Sequence, residues 1–78
     1  MDEDKRIPAR INANVMALPS KGGISDFRSG REGFVHPETT KNSFGSPHFV
    51  WLEDWNDGMG GSGCDIYYVP AFAVELLS

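Results

Sequence analysis

A single cysteine, Cys64, stands among the 78 residues. One thiol excludes an intramolecular disulfide and suits a reducing compartment. Long apolar runs are missing as well. None approaches the ~20 residues needed to cross a bilayer, and the opening Met1-Asp2-Glu3-Asp4-Lys5-Arg6 lacks the apolar stretch of a secretory signal. A cytoplasmic protein without a membrane partner is the expectation. Basic residues are few, 7 Lys and Arg against 11 Asp and Glu, for a net charge of −4. That balance argues against direct nucleic-acid binding, which needs Lys and Arg to displace counterions from the phosphate backbone. Metal-ligand pairs are absent too. His36 and His48 are far apart and there is no second cysteine, so the tight pairs of a zinc site cannot be formed. No catalytic residue, metal or cofactor is expected.

What the chain does contain is β-signal with Gly and Pro punctuation, and no ten residues of clean helical spacing. Residues 1–9 read as a flexible, charged N-terminal tail and residues 10–78 as one domain. Five strands are predicted, at 11–18, 31–36, 48–53, 65–69 and 74–77. Ile11, Ala13, Val15 and Ala17 alternate with Asn12, Asn14 and Met16, the period of a half-buried strand. His48-Phe49-Val50-Trp51-Leu52 is the strongest strand signal. Residues 37–47 and 54–63 read as polar, Gly-rich loops. Val35, Val50, Leu52, Val69, Val74 and Leu76 are the predicted core, with Ile11 and Val15 beside them. A chain this short buries only about 60% of its unfolded surface, so docking on a partner or a homo-oligomer is open from the start.

Two blocks carry a family resemblance. Ala17-Leu18 followed by Ile24-Ser25-Asp26-Phe27-Arg28-Ser29-Gly30, and the closing Tyr67-Tyr68-Val69-Pro70-Ala71-Phe72-Ala73-Val74, resemble the opening and closing blocks of Src-homology-3-like (SH3-like) small β-barrels. The resemblance implies an all-β, five-stranded barrel with a short 3₁₀ turn, started by Pro70, before the last strand. Pro19 and Ser20 stand where the family has its opening tyrosines, and Ala73 replaces the last groove tyrosine. The resemblance therefore carries the fold and not proline-peptide binding. A looser similarity, at Leu18-Pro19-Ser20 and Ile66-Tyr67-Tyr68-Val69, is to type II, plasmid-type dihydrofolate reductases, short chains that work as tetramers. The Gln-Ile-Tyr that serves cofactor and substrate in that family is missing in this register, and a divergent oligomeric reductase is kept as the alternative.

Three motifs bear on function. Gly58-Met59-Gly60-Gly61-Ser62-Gly63 matches G-x-G-x-x-G. A dinucleotide site needs a preceding strand, a following helix and a βαβ unit that this chain has no room for, so a flexible hairpin loop is the expectation. Glu53-Asp54-Trp55-Asn56-Asp57 sets three carboxylates around an aromatic. It meets the EF-hand spacing only in part. Finally, Phe49 and Trp51 share one face of a strand while Val50 and Leu52 share the other, and Tyr67 and Tyr68 also point opposite ways. Both faces thus carry large apolar groups, and one is left for the N-terminal segment or another protein to cover. The resulting expectation is a small acidic protein–protein binding module, an adaptor or an inhibitor of a larger, basic-surfaced partner such as a host nucleic-acid-binding machine blocked by a phage or mobile-element protein. Its partner-binding residues are expected to be Trp51, Glu53, Asp54, Trp55, Asp57, Tyr67 and Tyr68.

Overall fold

A computed structural model describes residues 6–40 and 47–77. The protein is all-β and antiparallel. Among the described residues seven strands are present: β1 (Ile7–Ile11), β2 (Val15–Pro19), β3 (Ser25–Phe27), β4 (Glu32–Val35), β5 (His48–Asn56), β6 (Ser62–Pro70) and β7 (Val74–Leu76). A single helical turn (Pro37–Thr40) precedes β5, and a 3₁₀ turn (Ala71–Ala73) joins β6 to β7. The strand order β3-β2-β6-β5-β4-β1-β7 is that of an open sheet with β3 and β7 at its edges. The count of five strands is therefore corrected to seven.

The extra strands have local causes. The stretch read as one strand over 11–18 is two strands, broken at Asn12–Asn14. The Asn14 side chain accepts a hydrogen bond from the Ser29 N–H at 2.8 Å, and the Asn12 N–H donates to the Ala73 carbonyl at 2.8 Å. Both asparagines thus spend polar groups on other segments instead of a continuous ladder. Residues 7–9, read as tail, lie inside the sheet. Ile7 pairs with Val35 and Ala9 with both Gly33 and Leu76. Ser25–Phe27, part of the family-like block and outside the five expected strands, pairs with β2. Pro37–Thr40, within the loop expected over 37–47, forms a helical turn. The His36 carbonyl holds it by accepting from the Thr39 hydroxyl at 2.7 Å, and His36 Nδ1 accepts from the Glu38 N–H.

The register divides the side chains between two faces. Ile11, Ala9, Val35, Trp51, Val69, Ala17 and Phe27 meet on the inner face and are fully buried. Ile7, Val15, Phe49, Tyr67 and Val74 pack around them. Phe27 meets Trp51 edge-on at 5.8 Å and Tyr67 at 4.9 Å between ring centroids, geometry that adds to simple area burial. The Phe49/Trp51 side of β5 is thus the core side. Two expectations change with it. Trp51 belongs to the core, and Leu76, on the short edge strand β7, is 40% exposed. Val50 and Leu52 lie on the outer face, where Leu52 is nonetheless buried between Phe34 and Ile66 in register.

Candidate functional site

Two surfaces stand out, an apolar outer face and a projecting hairpin. On the outer face, Leu18 of β2 pairs with Tyr68 of β6, and Ile66 lies two residues along the same strand. Met16 follows on β2. Leu18, Tyr68, Ile66 and Met16 are 48%, 42%, 38% and 61% exposed. The other end of the face is covered. Arg6 lies over the Phe34 ring, its guanidinium carbon 5.9 Å from the centroid, and makes a two-pronged contact with the Asp54 carboxylate at 2.7 and 2.9 Å. Arg6, immediately before β1, therefore shields the Phe34–Leu52 end, while the β2–β6 end stays open.

The hairpin arises because β5 and β6 outrun their neighbours. They pair continuously from His48–Pro70 to Asn56–Ser62. Among the described residues, β4 is in register with β5 at Phe34 and Val35 and β2 with β6 at Leu18 and Pro19, with one further backbone bond each, from His36 to Val50 and from Ser20 to Ile66. Residues 53–56 and 62–65 project beyond both. The tip is a built turn rather than a loose loop. The Asp57 N–H donates to the Gly61 carbonyl, and Asp57 Oδ1 accepts from the N–H groups of Met59 and Gly61 at 2.8 and 3.0 Å. Asn56 Oδ1 accepts from the Gly58 N–H at 2.7 Å. Gly58 and Gly60 take φ of 76° and 92°, a region closed to most side chains. The glycine motif is thus spent on turning the chain, and Ser62 and Gly63 belong to β6.

Each residue expected to bind a partner can now be placed. Trp51 is buried, and its Nε1–H donates to Glu53 Oε2 at 2.8 Å. Glu53 is half-buried and gripped by Arg31, with Nε and Nη2 at 2.6 and 2.7 Å from its two oxygens. Burial pushes the Glu53 carboxyl up, but the hydrogen bonds from Arg31 and Trp51, with the Arg31 charge, outweigh it and leave it below the ordinary range. Asp54 is exposed and held low by the hydrogen bonds from Arg6. Asp57 is engaged in its own turn. Trp55 is 46% exposed and lies against Gly63, where an added Cβ would meet its ring at 2.7 Å. Tyr67 packs on Phe27 inside, so Tyr68 is the exposed tyrosine of the pair. Of the seven, Trp55 and Tyr68 offer open aromatic surface, on different faces, and the three carboxylates are already partnered.

Three roles were not visible in the chain. Arg31 sits 4.0 Å above the Phe27 ring while it grips Glu53, and that hydrogen bond raises its pKa further. Arg6, in the presumed tail, partners Asp54. Cys64 is exposed. Its thiol is raised by partial burial first, with neighbouring Asp54 adding to the rise and Arg6 opposing it, so it is held as the neutral thiol. No group of three or more His, Cys, Asp or Glu side chains is placed to hold a metal among the described residues, and no helix there is long and apolar enough to cross a membrane. No protein-family model, curated protein or solved structure matches the chain.

Proposed function

We propose that this chain is an SH3-like small β-domain that acts as a protein–protein binding module, an adaptor or inhibitor subunit for a larger partner with a basic surface. The observation that carries this reading is the open apolar row Met16, Leu18, Ile66 and Tyr68. These side chains stand on the outer face of a sheet whose core lies on the other face. Contiguous exposed apolar groups of this kind mark interaction sites more than single exposed leucines do. Trp55, on the projecting hairpin, supplies a second aromatic anchor, the residue type that dominates binding energy when desolvated. The net charge of −4 favours encounter with a basic surface.

The test is capture from a host lysate by the immobilised protein, compared with Leu18→Lys and Tyr68→Lys variants, followed by mass spectrometry. A charge in the middle of the apolar row should remove a defined set of captured proteins while leaving the thermal transition in place. If wild type and both variants capture the same set, the outer face is not the binding surface.

A further inference from the structure

The two long edges of the projecting hairpin are treated differently by the fold. The β5 edge at Asp54 is guarded by Arg6, whose side chain is only 12% exposed as it reaches the Asp54 carboxylate. The terminal strands β3 and β7 are three residues each, and short edge strands resist pairing with other chains. The β6 edge from Ser62 to Asp65 has neither protection. It carries no proline or lysine, and among the described residues no strand pairs with it on that side.

The direction of its backbone groups follows from the ladder. The Ser20 N–H donates to the Ile66 carbonyl at 2.8 Å, so Ile66 turns its backbone toward the β2 side. Across the hairpin, the His36 N–H donates to the Val50 carbonyl, so Val50 turns its backbone away from its partner Tyr68. Antiparallel strands alternate in this respect residue by residue. Cys64 and Ser62 therefore aim their N–H and C=O groups along the open edge, in line with β2 where β2 turns away. Beside them is a cavity of about 310 Å³ whose lining includes Pro19, Lys21, Ile24, Cys64, Asp65 and Tyr67. Ile24 is 69% exposed there. The Asp65 carboxylate makes no ion pair among the described residues.

We propose that an extended segment of the partner protein adds to the sheet along Ser62–Asp65. Its backbone bonds to Ser62 and Cys64, an aliphatic side chain enters the cavity against Ile24, and a basic side chain meets Asp65. Serial backbone donors and acceptors along an open edge can be paired in register by an added strand, which displaces the water that otherwise satisfies them. The unpaired Asp65 and the acidic chain favour a basic residue over an acidic one. This inference rests on the binding-module reading and specifies the secondary structure that the partner presents.

The probe is a blocked octapeptide in which valine and lysine alternate along one strand face, with serine at the intervening positions, titrated into ¹⁵N-labelled protein with amide shifts and hydrogen exchange as readouts. The Ser62 and Cys64 amides are expected to shift and to exchange more slowly, by about tenfold or more at saturation. Two further peptides carry N-methyl groups on alternate residues, in opposite phase. One phase removes the N–H groups that face β6 and should bind about three- to tenfold more weakly per lost bond, while the other should bind nearly as well as the parent. In the protein, Cys64→Pro deletes an outward N–H and leaves the pairing with β5 intact, and should weaken binding by a similar factor. The inference is overturned if the peptide leaves the Ser62 and Cys64 amides unchanged at millimolar concentration, or if both methylated phases bind alike. It is also overturned if those amides become protected without peptide as protein concentration rises, since a second copy would then fill the edge. The readout sits on β6 and uses a defined peptide, so its failure is distinct from a failure of the outer-face variants to change lysate capture.

Discussion

Gly33→Ala is the sharpest test of how the core is packed. Gly33 pairs with Ala9 on the inner side of β4, and a Cβ built there would lie 2.7 Å from Cε2 and Cζ2 of Trp51 and 2.8 Å from its Nε1. Ordinary contact begins near 3.5 Å between carbon atoms, so the overlap is large. The ring has nowhere to go. Trp51 is fully buried, Phe27 meets its edge, and its Nε1–H is tied to Glu53, which Arg31 holds in turn. Overpacking a close-packed interior costs about 1–3 kcal/mol. Replacing glycine by alanine returns about 0.4–1 kcal/mol by restricting the unfolded chain. The net expectation is a loss of about 1–2 kcal/mol, and about 4–8 °C in Tm for each kcal/mol in a domain of this size. Thermal denaturation followed by circular dichroism measures it. A double-mutant cycle with Trp51→Phe isolates the cause, because phenylalanine lacks the ring atoms that the new methyl would strike. In that background Gly33→Ala should be close to neutral. An unchanged or raised Tm for Gly33→Ala in the wild-type background, or an equal loss in the Trp51→Phe background, would refute the reasoning. Gly63→Ala is the contrast. Its Cβ meets the Trp55 ring at the same 2.7 Å, but Trp55 is half exposed and can swing aside. The cost should be smaller, and Trp55 fluorescence should change instead.

Leu52→Ala should destabilise by about 2–5 kcal/mol, because Leu52 is 5% exposed, whereas Leu76→Ala on the exposed edge strand should cost less than about 1 kcal/mol. Urea titration of the two variants compares them directly. The Glu53 carboxyl is lowered in the folded protein, so the unfolded chain binds more protons as pH falls below about 4.3, the ordinary glutamate value. The stability it contributes is present above that pH and is lost as pH drops through the lowered folded value. Tm should therefore fall with acidification below about pH 4–5, and Glu53→Gln should flatten part of that fall. Trp55→Ala should weaken a partner complex mainly through faster dissociation, read by surface plasmon resonance. Asp54→Asn should change association only weakly, because Arg6 already neutralises that carboxylate. A large loss of on-rate in Asp54→Asn would restore the acidic patch as a steering surface.

Local pattern alone determined the fold class. The β-branched and aromatic run at His48–Leu52, the Tyr67–Val69 strand and the Pro70 turn all lie where the sequence places them, because period-two alternation and a fixed proline φ are properties of a few adjacent residues. The inward placement of Ile11 and Val15 was legible although the strand between them is broken, as was the presence of large apolar groups on both faces of β5. Which face is the core was not. It depends on Phe27, Trp51 and Tyr67 meeting from three strands, and no local pattern encodes that meeting. Nor could the chain show that Ile7–Ile11 is a central strand, since it pairs with residues far along the sequence, Val35 and Leu76 among them. The acidic cluster changed meaning for a related reason. Glu53 and Asp54 read as free charges beside a loop until the fold brings Arg31 and Arg6 to them across 22 and 48 residues. Charge pairing is a property of distance in space, and the sheet, not the local sequence, sets that distance.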